Sequence, residues 1–115
     1  MRFASHEDYF LTVLPAVRPL LESIQQHVEL FLPEATRCIS YNMPAFRNNK
    51  RAFFYFAAFK HHIGVYPPVS GNAELIHKLT PYMGPKGNLS FSLNTQLPID
   101  LIGQVSIALY QQYDI

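Results

Sequence analysis

Two short stretches of the chain combine positive charge with directional hydrogen-bond donors. Lys60 and His62 flank a predicted turn, and Lys86-Gly87 precedes a later predicted strand. Ammonium groups supply charge, an imidazole supplies a directional donor, and a glycine lets a backbone N–H approach an anion closely. The pattern predicts a small-anion site formed by Lys60, His62, Lys86 and Gly87, with structural hydrogen bonding by these residues as the alternative.

The sequence contains no combination of residues typical of catalysis. Ser40 and Tyr41 are neighbours in a predicted strand and point to opposite faces, and neither has a base beside it. Cys38, the chain's single cysteine, is typical of a small buried thiol and excludes an internal disulfide. No phosphate-binding glycine loop, HExxH motif or nucleotide fingerprint occurs. We therefore expect a protein that is not an enzyme.

Helical periodicity predicts four helices that must position these residues. Apolar residues recur at steps of three, four and seven after Pro15, which is typical of one amphipathic helix face. Ser5 is a candidate N-cap for the first helix, and Pro98 is a candidate first residue of the last one. The predicted helices span His6 to Leu14, Ala16 to Leu32, Ala73 to Thr80 and Ile99 to Gln112.

Short apolar runs between bends predict five strands. Cys38–Tyr41 and Ala45–Arg47 are separated by Asn42-Met43-Pro44, and asparagine tolerates the positive φ that a bend requires. The two-residue spacing Lys60-His61 predicts a β-hairpin between Ala52–Phe59 and His62–Tyr66. Strict alternation predicts a further strand at Leu89–Leu93.

The hairpin register assigns its residues to two faces. Phe59 should oppose His62, and Tyr55 should oppose Tyr66. One face is purely apolar and should pack against helices: Phe54, Phe56, Ala58, Ile63 and Val65. The other face mixes aromatic walls with a small-residue floor: Phe53, Tyr55, Ala57, Phe59, His62, Gly64 and Tyr66. With Tyr41, this aromatic outer face is a candidate surface for a ligand or partner, and the alternative is a second covered face or a dimer interface.

Helices at both ends around a meander of strands predict an α+β fold. Its form is a two-layer sandwich, in which an antiparallel sheet has the N- and C-terminal helices packed on one face. A chain of 115 residues, 49% hydrophobic and 15% charged, predicts one folded domain over residues 1–115.

Charge and hydrophobicity also limit the partners and the location. A net charge of +1 provides no general attraction for nucleic acid. No stretch approaches the 18 apolar residues of a membrane span, and charged residues at positions 2, 7 and 8 interrupt any secretory signal. We therefore expect a cytoplasmic protein that binds neither nucleic acid nor membrane.

Three blocks of the sequence together resemble the YdhG-like family of small bacterial domains. The blocks are residues 39–46, which read ISYNMPAF, residues 56–67, which read FAAFKHHIGVYP, and residues 85–89, which read PKGNL. Asn42 and His61 depart from the usual family residues, and both replacements still tolerate positive φ. The resemblance covers nearly the whole chain and implies a YdhG-like or frataxin-like two-layer sandwich.

One branch of that family is described as frataxin-like intracellular iron chaperones, which adds Fe(II) to the candidate ligands. Labile iron is held by clustered carboxylates, which are hard ligands for a hard ion. Glu22 and Glu29, seven residues apart on one predicted helix face, are the candidate metal residues. Arg37 stands where relatives commonly carry an acid, which counts against iron.

Three functions from different classes follow. The first is a small binding domain for an anion or metal complex, and the second is an iron chaperone. The third is a protein–protein interaction or homodimerisation module that uses the aromatic outer face.

Overall fold

The protein is described by a computed structural model over residues 2–113, so residues 1, 114 and 115 of the predicted domain lie outside the described part. Ser5 caps the first helix as predicted, because its hydroxyl accepts from the Asp8 N–H at 3.1 Å. The elements in chain order are α1 (His6–Phe10), α2 (Arg18–Phe31), β1 (Thr36–Ser40), β2 (Met43–Arg47), β3 (Ala52–Ala58), β4 (His62–Tyr66), α3 (Ala73–Leu79), a 3₁₀ turn (Thr80–Tyr82), β5 (Leu89–Ser92) and α4 (Ile99–Gln112).

The five strands form one antiparallel sheet in the order β1-β2-β3-β4-β5. In the β3–β4 hairpin, Tyr55 pairs with Tyr66 and Phe56 pairs with Val65. Paired residues share a face of the sheet, so the predicted register and the predicted placement of Phe56 with Val65 are confirmed.

The helices pack on one face of this sheet and enclose the core. The sheet contributes Phe46, Phe54, Phe56, Ile63, Val65 and Phe91, all essentially inaccessible to solvent. From the helices come Leu21, Ile24 and Val28 of α2 and Ile102, Val105 and Leu109 of α4. The predicted α+β sandwich with its terminal helices on one face is therefore confirmed.

A buried histidine joins the first helix to the sheet. His6 is 1% exposed, and its Nε2 donates to the carbonyls of Ala45 at 2.9 Å and Cys38 at 3.1 Å. Its Nδ1 accepts from the Gln25 amide at 3.0 Å, so the ring is neutral and both nitrogens are satisfied. Burial lowers the pKa of His6 below its usual value.

The β2–β3 pairing contains a bulge that corrects the predicted faces. Phe46 pairs with Phe54, but Arg47 pairs with Ala52, so the register shifts by one residue at Phe53. Phe53 is fully buried and its ring packs edge-on against Tyr110 of α4 at 5.2 Å. The expected position of Phe53 on the outer face is therefore wrong.

Several predicted element boundaries also differ from the structure. α1 ends at Phe10 rather than Leu14, and α2 begins at Arg18 rather than Ala16. The first β-turn is centred on Tyr41-Asn42, so β2 already begins at Met43. The hairpin strand ends at Ala58, one residue early, and Pro98, predicted as the first residue of the last helix, is the N-cap of α4, whereas β4 has the predicted bounds. Among the described residues, no helix has the length and apolar character needed to cross a bilayer.

Candidate functional site

The outer face of the sheet carries an open cleft of about 550 Å³ that extends from the β1–β2 turn, past Tyr55 and Tyr66, to the β2–β3 bend and the end of α4. This volume is within the usual range of small-molecule sites, roughly 300 to 1,000 Å³. Four tyrosines dominate the lining, which consists of Ser40, Tyr41, Met43, Arg51, Ala52, Tyr55, Tyr66, Pro67 and Tyr113.

Two of the tyrosines are placed by the hairpin. Tyr55 and Tyr66 face each other across β3 and β4, so both rings stand on the same side of the sheet. Gly64 lies two residues before Tyr66 on the same face, and a Cβ there would lie 2.5 Å from the Tyr66 hydroxyl. The absent side chain at Gly64 therefore allows the Tyr66 ring to lie close against β4.

Tyr41 is placed by the tight β1–β2 turn. Its φ is 51° and that of Asn42 is 57°, the left-handed conformation at both central positions that a type I′ turn requires. The Tyr41 ring lies 5.9 Å from the Tyr55 ring and is tilted by 49°, yet the residue is 85% exposed. Tyr41 thus forms a wall of the cleft while burying little of its own surface.

Among residues 2–113, Arg51 supplies the only formal charge in the lining of the cleft. Its guanidinium lies over the Tyr113 ring, 5.6 Å from the ring centroid, at a distance typical of a cation–π contact. The carbonyl of Tyr113 accepts from the Asn48 amide at 3.4 Å, which joins the end of α4 to the β2–β3 bend. Within residues 2–113, the Arg51 guanidinium makes no ion pair with a carboxylate.

The structure assembles only part of the predicted ligand set. Tyr41, Tyr55 and Tyr66 come together in the cleft as a group. Arg51 and Tyr113 were missed by the sequence reasoning. Arg51 directly precedes a predicted strand and is four residues from Tyr55, which was a usable signal, whereas the helical pattern near Tyr113 gave none.

The predicted meeting of Lys60 with Lys86 is wrong. β5 runs antiparallel to β4, with Ser92 opposite His62 and Leu89 opposite Val65. Lys60 therefore lies beyond one end of β4 and Lys86 beyond the other, and the three steps from His62 to Val65 alone span roughly 10 Å. The four-residue anion site does not form.

His62 and Gly87, the other two residues of that predicted site, make contacts within the fold. His62 stacks on Phe59, with ring centroids 5.0 Å apart and planes 19° apart. Gly87 has a φ of 85° and lies against Pro68, as its turn requires.

The predicted metal pair does not fit Fe(II). Arg37 donates to both oxygens of Glu29, at 2.6 and 2.9 Å, and also to Glu7 at 2.9 Å. These hydrogen bonds from the guanidinium hold the pKa of Glu29 below its usual value. The negative charge of Glu29 is thus already balanced by Arg37. Over residues 2–113, no group of three or more acidic, histidine or cysteine side chains could enclose a metal ion.

The cleft also lacks the groups of general acid–base or nucleophilic catalysis. No histidine, carboxylate or lysine lines it within the described part of the chain. The Ser40 hydroxyl donates to the Tyr55 hydroxyl at 3.5 Å and has no base beside it. Cys38 is half-buried, and burial raises the pKa of its thiol.

The fold and the cleft together define a two-layer α+β domain with an aromatic recess on its uncovered sheet face. The backbone is similar to the crystal structure of a protein of the DUF1801 family, YdhG, from Bacillus subtilis, with a TM-score of 0.78. The two chains are 17% identical, and the match covers 96% of this chain and 90% of that one. This likeness shows that the chain has a YdhG-like fold. No sequence-family model and no curated protein match the sequence.

Proposed function

We propose that this chain is a small ligand-binding domain, a divergent YdhG-like protein whose binding site is the tyrosine-lined cleft. The observation that supports this is the convergence of Tyr41, Tyr55, Tyr66 and Tyr113 around one open volume. Phenol rings provide apolar contact area with a polar end and lose little conformational entropy on binding, which suits them to small organic ligands.

A binding role without catalysis agrees with the chemistry of the lining. The ionisable side chains of the described lining are phenols and one guanidinium, so the groups most often used for general acid–base catalysis, histidine and carboxylates, are not among them. We further propose a cytoplasmic location, because a single half-buried thiol suits a reducing compartment.

A two-dimensional NMR titration of the ¹⁵N-labelled protein with a library of aromatic fragments tests this proposal. We expect shift changes centred on residues 40–43, 51–55 and 66–67. Tyr55→Ser should abolish them, while Phe59→Ser should not, because Phe59 lies on the sheet outside the cleft and is already 44% exposed. Fragments that shift only residues elsewhere, or that bind Tyr55→Ser unchanged, would contradict the proposal.

Homodimerisation through the aromatic face is the second candidate. It is favoured by two exposed aromatic residues in the turns that border the sheet, Tyr41 at 85% and Phe59 at 44%. Light scattering after size exclusion distinguishes the two candidates. A stable dimer that the Tyr41→Ser/Phe59→Ser double variant dissociates would support the interface, and a monomer at 100-fold varied concentration would reject it.

A further inference from the structure

The charge content of the cleft restricts what it can bind. The described lining contains one guanidinium, four phenols and no carboxylate. From this we propose that the cleft is selective for small aromatic molecules that carry a single carboxylate, with Arg51 as the anion-binding residue. This inference rests on the proposed ligand-binding function and adds the ligand class and the residue that selects it.

The position of Arg51 leaves its donors available. The guanidinium carbon lies 5.6 Å from the centroid of the Tyr113 ring, and a cation–π contact of this kind does not use the N–H groups as hydrogen-bond donors to an oxygen. Within residues 2–113 those N–H groups have no hydrogen-bond acceptor, although the backbone N–H of Arg51 donates to the Asn48 side chain at 2.9 Å. A planar carboxylate matches two such donors at once.

The same geometry disfavours cationic ligands. Rings of tyrosines can hold a ligand cation over their faces, but here the protein's own Arg51 already occupies that position over Tyr113. A second cation in the recess would be repelled by the guanidinium. Ligands with several negative charges are disfavoured too, because Arg51 is the single cation that the described residues contribute to the lining.

The tyrosine pair opposite Arg51 favours a flat apolar body. Tyr41 and Tyr55 are tilted by 49° with centroids 5.9 Å apart, so they present two ring surfaces to one side of the recess. A fused aromatic ring matches these two surfaces, and we expect its carboxylate to be directed along the cleft toward Arg51.

Three probes with the same ring system test the inference: 2-naphthoate, 2-naphthylmethanol and 2-naphthylmethylamine, titrated by NMR. We expect the carboxylate to bind at least about tenfold more tightly than the alcohol, as a charge-assisted contact implies, and the amine to bind most weakly. Arg51→Gln should remove the preference for the carboxylate, so that the carboxylate and the alcohol bind with similar affinities. Arg47→Gln is the matched control, because it makes the same charge change on the neighbouring strand outside the cleft.

The outcomes separate this inference from the proposed function. If the alcohol binds in the cleft as well as the carboxylate does, the site stands and its anion selectivity is wrong. If Arg47→Gln weakens naphthoate as much as Arg51→Gln does, a general field rather than Arg51 selects the anion, and the inference is again wrong. If no probe shifts the cleft residues, both proposals fail. Unchanged thermal unfolding of Arg51→Gln and partial selectivity in Arg51→Lys exclude misfolding as the cause.

Discussion

Tyr41 combines three properties that rarely occur together. It has a positive φ, which is unfavourable for a bulky side chain, it is 85% exposed, and it lines the cleft. Packing within the domain therefore does not account for an aromatic residue here, whereas contact with a bound molecule would.

Replacing Tyr41 by asparagine tests this trade-off between stability and binding. Asparagine tolerates the left-handed conformation, so we expect the free energy of unfolding to rise by up to about 1 kcal/mol while naphthoate binding weakens. Chemical denaturation and NMR titration measure the two effects. Tyr41→Phe, which keeps both the ring and the strain, should change neither by much. A less stable asparagine variant would show that the Tyr41 ring supports the fold.

The buried imidazole of His6 makes stability depend on pH. Its pKa is lowered in the folded protein, mainly by burial, while the unfolded chain has the usual value near 6.5. Above pH 6.5 both states are neutral at this residue, so its contribution is fully present. Below pH 6.5 the unfolded chain binds a proton that the folded chain refuses, and stability is lost as the pH falls toward the folded pKa.

Urea denaturation between pH 7.5 and 5.0 measures this loss. His6→Gln should flatten the pH dependence over that range, even if it lowers stability at all pH values. Glu29, whose pKa is also lowered, contributes a separate loss that begins only below its ordinary value of 4.5. If stability depends on pH as steeply in His6→Gln as in the wild type, the pH dependence belongs to other groups. Arg37 and Glu7 are the charged side chains that influence the pKa of His6.

Individual site residues were predictable where strand alternation alone determines their direction. Tyr55 and Tyr66 follow from the hairpin spacing, and the confirmed register gives them a common face. Tyr113 depends on how the end of α4 lies across the sheet, which no local pattern contains. The buried role of His6 was likewise missed, because its partners Ala45 and Gln25 are remote in sequence.

At the scale of elements, the β3 bulge limits what alternation can predict. The extra residue in β3, Phe53, moves the residues before Phe54 to the opposite faces of the sheet from those that alternation predicts. Phe53 is therefore buried on the helix side, and Ala52 lines the cleft. Both strands of this pair have apolar sequences, so nothing in their hydrophobic pattern marks the shift.

The packing of α2 on α4 depends on a glycine. A Cβ at Gly103 would overlap the ring of Phe31, so the two helices approach closely only because Gly103 has no side chain. Gly103→Ala should gain about 1 kcal/mol of helix propensity but cost about 1 to 3 kcal/mol by overpacking, and we expect a net loss of stability.

A double-mutant cycle with Phe31→Leu checks this prediction by thermal and urea denaturation. In the Phe31→Leu background the alanine should become neutral or stabilising, because the smaller side chain can move away. Equal losses in both backgrounds would show that the contact with Phe31 is not the reason.

At the scale of the whole molecule, Arg37 connects three elements by forming ion pairs with two acidic residues. It joins Glu7 of α1 and Glu29 of α2 to β1 through two ion pairs at 2.9 and 2.6 Å. The carboxylates near the helix layer are thereby neutralised within the fold rather than offered to a cation.

Removal of this guanidinium should therefore expose a weak cation site. Wild-type protein should bind Fe(II) weakly under anaerobic conditions, and Arg37→Gln should bind it more tightly by calorimetry, because Glu29 and Glu7 are released. The gain should disappear in Arg37→Gln/Glu29→Gln, and Arg47→Gln should show none. Tight binding by the wild type that survives replacement of Glu22 and Glu29 by glutamine would place an iron site elsewhere.

The overall architecture was predictable because local patterns agreed with one another. Helical periodicity at both ends and a two-residue hairpin between apolar strands leave few compact arrangements. The strand that β5 pairs with was not determined in this way, since α3 and the 3₁₀ turn separate β5 from β4 along the chain. That one choice decided whether Lys86 would meet Lys60.

The hydroxyl of Tyr9 attaches the first helix to a strand in the middle of the sheet. Ala58 of β3 lies past the start of β2, and the Tyr9 hydroxyl both accepts from the Ala58 N–H at 2.9 Å and donates to the Ala58 carbonyl at 3.4 Å. A phenol thus takes the place that one more residue of a neighbouring strand would otherwise occupy. The backbone of Ala58 is therefore satisfied without a longer β2, and α1 is held against the sheet by a contact that needs no charge.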